Sequence, residues 1–380
     1  MEIRKINLHQ QVLYLGKIIK NSEKIENNNI SNDSNNQILY YFSYDDQINK
    51  KLIIFELRYS DNFSFKTQNI KYIIKYKEDI GYSYIHLIAK GNINNKIYLL
   101  FRDNYYSYDI YAGIYDIEIN NYFPIIIDNS KDNIKLKNIV KQIPDKDYIT
   151  ILEQNKIFFF GGLIEQNNRN NQSIINEEKT KTDSSRNIHI INKSCIYFDL
   201  EKLDFEKQNF YENSLAPRYK LGGTSQQELI YLIGGFTSIP NNEDNICNLV
   251  QFSKYTDDKM HQFSAAKFDG ESPKYMIDNQ VFVVNNKFLI SFSAYNNANL
   301  WILDIEKNKG ININLKDKIN LEEYNQNNLS LILIDCDINE KFNDKKNINI
   351  NLIIAKIIYN ENQNDIKFEI INKSFPINIE

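Results

Sequence analysis

Cysteine is scarce in this chain of 380 residues, which contains only three of them. Cys195, Cys247 and Cys336 are odd in number, lie far apart, and none belongs to a Cys-x-x-Cys pair. This spacing argues against a disulfide framework and against a cysteine-based zinc site. The simplest interpretation is three free thiols, of the kind that folded proteins bury as small apolar groups.

Signatures of catalysis and cofactor binding are also missing. The four histidines, His9, His86, His189 and His261, do not stand at metal-ligand spacing from one another or from a cysteine. Neither a Gly-x-Ser-x-Gly elbow nor a His-Glu-x-x-His helix occurs. We therefore predict no catalytic residue, no metal site and no cofactor, and expect that the protein is not an enzyme.

Charge of one sign does not dominate, and long apolar runs are absent. The 45 basic and 49 acidic residues nearly cancel, with a formal net charge of −4 and no basic stripe, so nucleic acid is not an expected partner. The N-terminus reads as mixed polar sequence rather than a secretory signal. The apolar runs fall far short of the roughly 18–20 residues that span a bilayer. We expect a cytoplasmic or cytoskeleton-associated protein that is neither secreted nor inserted in a membrane.

Aromatic and β-branched residues are abundant instead. The chain has 26 Tyr and 22 Phe together with many Ile, whereas Ala and Leu runs are scarce. Planar and branched side chains suit the pleated, half-buried surface of a sheet. The composition therefore predicts an all-β fold.

A short phrase recurs along the chain: a polar lead-in, an apolar run of about four residues, then small or turn-forming residues. The copies cover 36–43, 95–102, 155–162, 228–235, 286–293 and 328–335, at intervals of 59, 60, 73, 58 and 42. Such a period indicates an array of supersecondary units that bury their apolar faces against each other. Continuous apolar runs are typical of strands buried on both faces, so we interpret each copy as the inner strand of a blade.

A second phrase follows most copies, and in it a strand ends near an acidic residue. The acidic residues that recur at these positions are Glu56, Asp116, Asp199 and Asp304. Because one recurs per unit, we interpret them as caps of hairpin turns rather than as catalytic groups. The pairs Gly161-Gly162 and Gly234-Gly235 end two copies of the first phrase and precede polar sequence. We interpret them as points of close backbone approach rather than as phosphate-binding loops.

These features resemble the kelch repeat. The resemblance rests on the glycine pairs, on Leu-Trp-Ile-Leu-Asp-Ile-Glu-Lys-Asn at 300–308, and on Pro144 and Pro217, each 17 residues before a glycine pair. In the fifth copy, the segment Pro273-Lys274-Tyr275 stands in the same relation, with Phe292 and Ser293 in place of the glycines. The resemblance implies a β-propeller, which we predict to have six four-stranded blades. A seventh blade that uses 12–15 is the alternative.

The predicted domain organisation follows from the repeat. Residues 1–35 form an N-terminal segment that could contribute a closing strand, and 36–375 form the kelch-like propeller. Residues 163–192 are a polar insertion between the second and third strands of the third blade, predicted to be flexible. Both a tolerated insertion and a partner-binding loop remain open for this segment.

The resemblance also implies a function, since kelch propellers commonly bind other proteins through their loops. We expect an interaction scaffold that binds other proteins through one propeller face, as a subunit of a larger cytoskeletal or regulatory assembly. The candidate partner-binding residues are Arg218, Tyr219, Lys274 and Tyr275, because Arg and Tyr are favoured interface anchors. The alternatives are a propeller enzyme with its site at the channel mouth, and a ubiquitin-ligase substrate receptor whose adaptor is another chain.

Overall fold

A computed structural model describes fifteen parts of the chain. They are residues 12–20, 37–46, 48–59, 65–81, 85–103, 110–125, 127, 139–166, 188–208, 215–239, 245–294, 298–315, 329–340, 347–360 and 365–378. The regular structure in these parts is almost entirely β-strand, with one turn of π-helix at Tyr76–Ile80. No helix within them is long and apolar enough to cross a membrane.

The strands form six sheets, each built from strands that are close in sequence. Blade 1 contains β1 (Val12–Lys20), β2 (Gln37–Asp46), β3 (Lys51–Tyr59) and β4 (Phe65–Lys75). Blade 2 contains β5 (Ile85–Ile93), β6 (Lys96–Asp103), β7 (Ile110–Asp116) and β8 (Asn121–Ile125). Blade 3 contains β9 (Lys146–Glu153), β10 (Lys156–Gln166), β11 (Ile188–Ile191), β12 (Ile196–Asp199) and β13 (Asp204–Lys207).

The second half of the chain repeats the pattern. Blade 4 contains β14 (Gly222–Gln226), β15 (Leu229–Ile233), β16 (Val250–Thr256), β17 (Lys259–Met260) and β18 (Ser264–Ala265). Blade 5 contains β19 (Asp269–Gly270), β20 (Gln280–Val284), β21 (Phe288–Ser293), β22 (Asn299–Asp304) and β23 (Lys309–Asn314). Blade 6 contains β24 (Leu329–Glu340), β25 (Asn347–Asn360) and β26 (Asp365–Asn378).

The predicted fold class is confirmed: the protein is an all-β, six-bladed β-propeller. Strand pairing within the blades is antiparallel, except that β19 pairs with β23 in parallel. The described strands number three to five per blade, so the blades are less uniform than the four strands predicted for each. The strand-like residues 12–15 belong to β1 of blade 1 and do not begin a seventh blade.

The N-terminal segment contributes a strand, but its partner is the strand that follows it. Val12 lies opposite Tyr44 and Lys20 lies opposite Gln37, so β1 pairs with β2 in blade 1. In the described residues, each sheet takes its strands from one continuous stretch of the chain. The propeller therefore includes part of 1–35, and β1 is not a closing strand shared with the C-terminal residues.

The chain divides into two compact units. Unit 1 comprises Met1–Ser130 and Asn314–Glu380, and unit 2 comprises Lys131–Ile313. In unit 1, one apolar cluster packs blade 1 against blade 2, and another packs blade 1 against blade 6. In unit 2, one cluster packs blade 3 against blade 4, and another packs blade 4 against blade 5. Burial between blades supplies the hydrophobic stabilisation that an isolated four-stranded sheet lacks.

The repeated phrase forms the second strand of blades 1–4, and in blade 5 it forms β21, the second strand of the antiparallel series β20–β23; in each case it is an inner strand of its sheet, as predicted. In unit 2 the first strands meet from one blade to the next: the hydroxyl of Ser225 in β14 donates to the carbonyl of Leu152 in β9, at 2.8 Å. The second strands are nevertheless buried on both faces, as the full burial of Phe158 and Phe159 shows. An apolar run thus indicates a strand that is packed between two neighbouring blades, and it does not indicate how close that strand lies to the centre of the propeller.

The hairpin role predicted for the recurring acidic residues is confirmed at three of the four positions. Asp116, Asp199 and Asp304 end β7, β12 and β22, respectively, and their carboxylates accept backbone N–H bonds from the following turn at 2.9–3.0 Å. Glu56 is different, because it lies within β3 and is 1% exposed. It accepts hydrogen bonds from the Tyr41 hydroxyl at 2.8 Å and from Arg58 Nε at 2.6 Å.

Candidate functional site

The glycine pairs lie where the connectors between blades cross the strand ends in unit 2. Gly162 N–H donates to the carbonyl of Arg218 at 2.9 Å, and Gly235 N–H donates to that of Met276 at 2.8 Å. A Cβ at Gly161 would lie 2.4 Å from the Arg218 oxygen, and one at Gly234 would lie 2.0 Å from the Met276 oxygen. The interpretation of these pairs as points of close backbone approach is therefore confirmed.

Three residues on these connectors share an unusual backbone conformation. Asp147, Lys220 and Asp278 precede the first strands of blades 3, 4 and 5 or lie at their start, with φ of +58°, +55° and +48°. Lys220 N–H donates to the Asp147 carbonyl at 2.7 Å, and Asp278 N–H donates to the Lys220 carbonyl at 2.8 Å. A main-chain hydrogen-bond series thus joins three consecutive blades, and it fixes the spacing of three side chains of alternating charge.

The charges in this series interact with one another. Lys220 Nζ lies 3.5 Å from Asp278 Oδ2. Burial raises the pKa of Asp147 above its ordinary value, and although Lys220 and Lys146 oppose this effect, they do not outweigh it. Lys146 Nζ lies 3.4 Å from His189 Nε2 on β11, which extends the polar cluster to the base of the predicted insertion.

Apolar side chains support and flank the charged series. Leu163, Tyr219, Phe236 and Ile277 form a buried cluster, in which Tyr219 and Ile277 directly precede Lys220 and Asp278 in the chain and the rings of Tyr219 and Phe236 stack at 5.4 Å. Two isoleucines stand outside this cluster: Ile190 is 42% exposed and Ile239 is 46% exposed. We call the whole region the rim surface, formed by Lys146, Asp147, His189, Ile190, Lys220, Ile239 and Asp278.

Arg218 and Tyr219 do not have the exposure that partner binding requires. Arg218 is 0% exposed, and its guanidinium donates to Gly234 and Leu249 carbonyls at 3.0 Å. Tyr219 is 3% exposed, and its hydroxyl donates to the Ser238 carbonyl at 3.0 Å. Their prediction as exposed interface anchors is therefore wrong, because the connector turns both side chains inwards to hold neighbouring segments.

Lys274 and Tyr275 remain accessible. Lys274 is exposed, its backbone N–H donates to Asn312 Oδ1 at 3.2 Å, and Tyr275 is half-buried with a φ of +56°. The match between the fourth and fifth copies of the repeat that identified them is shifted by two residues, however. Since Met276 occupies the position of Arg218, Tyr275 rather than Pro273 corresponds to Pro217.

The charged series escaped the sequence analysis, although a signal for it exists. Asp147 and Lys220 each lie three residues after Pro144 and Pro217, the prolines already noticed for their spacing. The repeat was recognised by the proline that its copies share. The residue three positions later differs in type between the copies, so it did not contribute to the repeat. A search for charged residues at fixed offsets from the repeat would have found both.

The ends of the predicted insertion 163–192 are ordered strand. Leu163 lies opposite Ile191 and Gln166 lies opposite Ile188, so β10 and β11 extend the hairpin between the second and third strands of blade 3. Asn192 N–H then donates to the Gly162 carbonyl at 2.8 Å. The predicted position between the second and third strands is confirmed, and 167–187 lie outside the described residues.

Comparison with known proteins adds no family assignment. No family model matches the chain, and no curated protein matches it significantly. The kelch resemblance therefore stays a prediction. In the part of the chain that the structure describes, no group of three or more His, Cys, Asp or Glu is arranged to hold a metal ion.

Proposed function

We propose that the protein is a protein–protein interaction module, a subunit of a larger assembly, and that the rim surface contacts its partner. Exposed apolar side chains occur on the same segments as these charges, and interfaces combine these two elements. Ile190 follows His189 in β11, and Ile239 follows Ser238, whose carbonyl anchors Tyr219. Lys274 and Tyr275, on the connector that leads to Asp278, would extend the contact.

The observation that carries the proposal is the main-chain hydrogen-bond series through Asp147, Lys220 and Asp278. Because the backbone is already fixed, binding would lose little conformational entropy at these positions. Side chains of alternating charge would favour a partner of complementary pattern and disfavour others. The buried cluster around Tyr219 and Phe236 gives this pattern a rigid base.

A charge exchange tests the proposal without removing charge. In the double variant Lys220→Asp and Asp278→Lys, the ion pair can re-form, while the order of charges along the series changes from negative–positive–negative to negative–negative–positive. Both residues have left-handed backbone, and each position would receive a residue type already found in this conformation here. We expect the variant to remain folded by circular dichroism and to lose at least about tenfold in affinity for its partner, or 1.4 kcal/mol.

The matched control exchanges a second ion pair of the same unit. Lys254 Nζ lies 3.4 Å from Glu228 Oε2, and both side chains are about half exposed, at 55% and 46%. The double variant Lys254→Glu and Glu228→Lys should bind as the wild type does. The partner is first identified by a photo-crosslinking amino acid at position 239, with position 228 as the negative site. Equal binding by the two charge-exchanged variants would refute the assignment of the rim surface.

A further inference from the structure

Glu56 is the one of the four recurring acidic residues that does not cap a hairpin turn. It lies inside β3, is 1% exposed, and receives a donor at each of its carboxylate oxygens. The Tyr41 hydroxyl donates to Oε2 at 2.8 Å, and Arg58 Nε donates to Oε1 at 2.6 Å. Although burial alone would raise it, the pKa of Glu56 is lowered by these two hydrogen bonds and by the charge of Lys71. The carboxylate is therefore ionised, and Tyr41 and Arg58 already satisfy both of its oxygens.

Lys71 brings a second cation to the same carboxylate. Its Nζ lies 3.4 Å from Glu56 Oε2, the oxygen that already accepts from Tyr41. Lys71 is the extra residue of a β-bulge, since the residues on either side of it in β4 lie opposite Ile54 and Phe55, which are consecutive in β3. Bulges re-aim side chains and are frequent beside functional sites. This bulge thus supplies a cation that the buried carboxylate does not need for its own hydrogen bonds.

Two cations around one carboxylate leave an excess positive charge in this cluster and several unused donors. Arg58 binds Glu56 through Nε alone, and within the described residues its Nη1 and Nη2 have no hydrogen-bond partner. The side chains of Arg58 and Lys71 are 37% and 25% exposed, whereas that of Glu56 is 1% exposed. Solvent therefore reaches the two cations but not the carboxylate between them. An anion that approaches from solvent would meet the cations first.

Two tyrosines lie beside this cluster, one from each of blades 1 and 2. Burial and then the charge of Glu56 raise the pKa of Tyr115, a fully buried residue of β7. The Tyr115 hydroxyl donates to Asn120 Oδ1 at 2.7 Å, and its ring lies 5.6 Å from that of Tyr72, the residue after Lys71. Surroundings of low dielectric constant make the field of the two cations stronger than it would be in water.

We propose that Arg58 and Lys71 bind the phosphate group of a phosphate monoester, and that Glu56 positions both cations. The two Nη groups of a guanidinium form a planar fork that matches two oxygens of an oxyanion, and the ammonium can bind a third. Three donor groups suit the three terminal oxygens of a phosphate monoester better than the two oxygens of a carboxylate. A phosphoserine side chain and a small phosphorylated metabolite share this group. Because the site belongs to unit 1 and the rim surface to unit 2, this inference does not depend on the proposed function.

Calorimetric titration of the full-length protein with inorganic phosphate tests the site. The titration is done at about pH 7 and constant ionic strength, so that electrostatic screening does not vary. We expect a dissociation constant below about 5 mM, and displacement of phosphate by sulfate but not by the same concentration of acetate. Glycerol phosphate and N-acetylphosphoserine amide are then compared, and the tighter ligand indicates the source of the phosphate. A weaker constant for phosphate, or displacement by acetate as effective as that by sulfate, would overturn the proposal.

Substitutions separate phosphate binding from folding. In Lys71→Gln, Glu56 keeps both of its hydrogen bonds, so we expect an unchanged circular dichroism spectrum and a phosphate affinity reduced about tenfold or more. Arg58→Lys keeps a cation beside Glu56 but loses the planar fork, and it should reduce the affinity about fivefold or more. The matched control is Lys75→Gln on the same strand, where the ammonium lies 2.6 Å from the exposed carboxylate of Glu78. This control should bind phosphate within about twofold of the wild type. Equal affinities of Lys71→Gln and Lys75→Gln would also overturn the proposal.

Discussion

The close backbone approach at Gly234 allows the cost in stability of adding a single methyl group to be predicted. Gly234 has a φ of +70°, and an added Cβ would lie 2.0 Å from the Met276 carbonyl oxygen and 2.7 Å from the Met276 Cβ. Gly234→Ala would therefore impose left-handed strain of about 1–2 kcal/mol and overpacking of about 1–3 kcal/mol. Displacement of the Met276 carbonyl would also weaken its bond from Gly235 N–H, at a cost of about 1 kcal/mol. We expect a total loss of about 3–6 kcal/mol.

Gly81 offers a control that isolates the first of these contributions. It has a φ of +89°, and an added Cβ would meet nothing within 4 Å. Gly81→Ala should therefore lower the free energy of unfolding by only about 1–2 kcal/mol, from strain alone. Urea denaturation followed by far-UV circular dichroism would compare the two variants with the wild type. Equal losses would refute the claim that backbone crowding, rather than φ alone, requires glycine at position 234.

Three further outcomes are expected. Arg218→Met should cost about 2–5 kcal/mol in urea denaturation, because it leaves buried carbonyls without a donor, whereas Lys254→Met, at a side chain that is 55% exposed, should cost less than about 1 kcal/mol. Burial alone would raise the pKa of Glu56, but hydrogen bonds from Tyr41 and Arg58 and the charge of Lys71 outweigh it and lower that pKa. The stability that Glu56 confers is thus present above the ordinary glutamate pKa and lost as pH falls through the lowered value, so Glu56→Gln should destabilise the fold more at pH 7 than at pH 3 in thermal melts. Replacing 167–187 with Asn-Gly should preserve the melting temperature or raise the free energy of unfolding by up to about 2 kcal/mol, since Gln166 and Ile188 are already paired; a collapsed melt would contradict this.

The blade count could be predicted from the sequence because each blade repeats its most buried strand. A strand that lies between two blades must be apolar on both faces, so one continuous apolar run recurs in the sequence for each blade. The other strands of a blade left no comparable mark in the sequence. The first strands, such as β9 and β14, are only half-buried and mix polar with apolar residues.

The correspondence between residues of blades 4 and 5 depends on one extra turn residue, which the sequence pattern could not reveal. The turn between β14 and β15 has two residues, from Gln226 to Leu229, whereas the turn between β20 and β21 has three, from Val284 to Phe288. The extra residue makes Ser293, not Phe292, the counterpart of Gly234. Counting along the chain cannot distinguish a longer turn from a shifted strand, because side-chain alternation resumes on either side.

The misplacement of Arg218 has a different cause. Arginine and tyrosine are residue types that are common at interfaces, and the residues next to this arginine in sequence do not indicate that it is buried. Its acceptors are 16 to 33 residues away, at Gly234, Leu249 and Gln251. The fold decides which of the five N–H donors of an arginine find acceptors, so the sequence alone could identify the residue but not its environment.

In the series through Asp147, Lys220 and Asp278, the backbone determines the shape of the surface, and the side chains determine its charge. Main-chain atoms alone make the hydrogen bonds of this series, so the fold places few demands on the three side chains. Mutation at these positions can thus alter charge while the scaffold persists, whereas Gly161 and Gly234 are held in place by crowding. Divergent descendants of this chain should keep the glycines and vary the three charges, and so acquire new binding preferences without first acquiring a new fold.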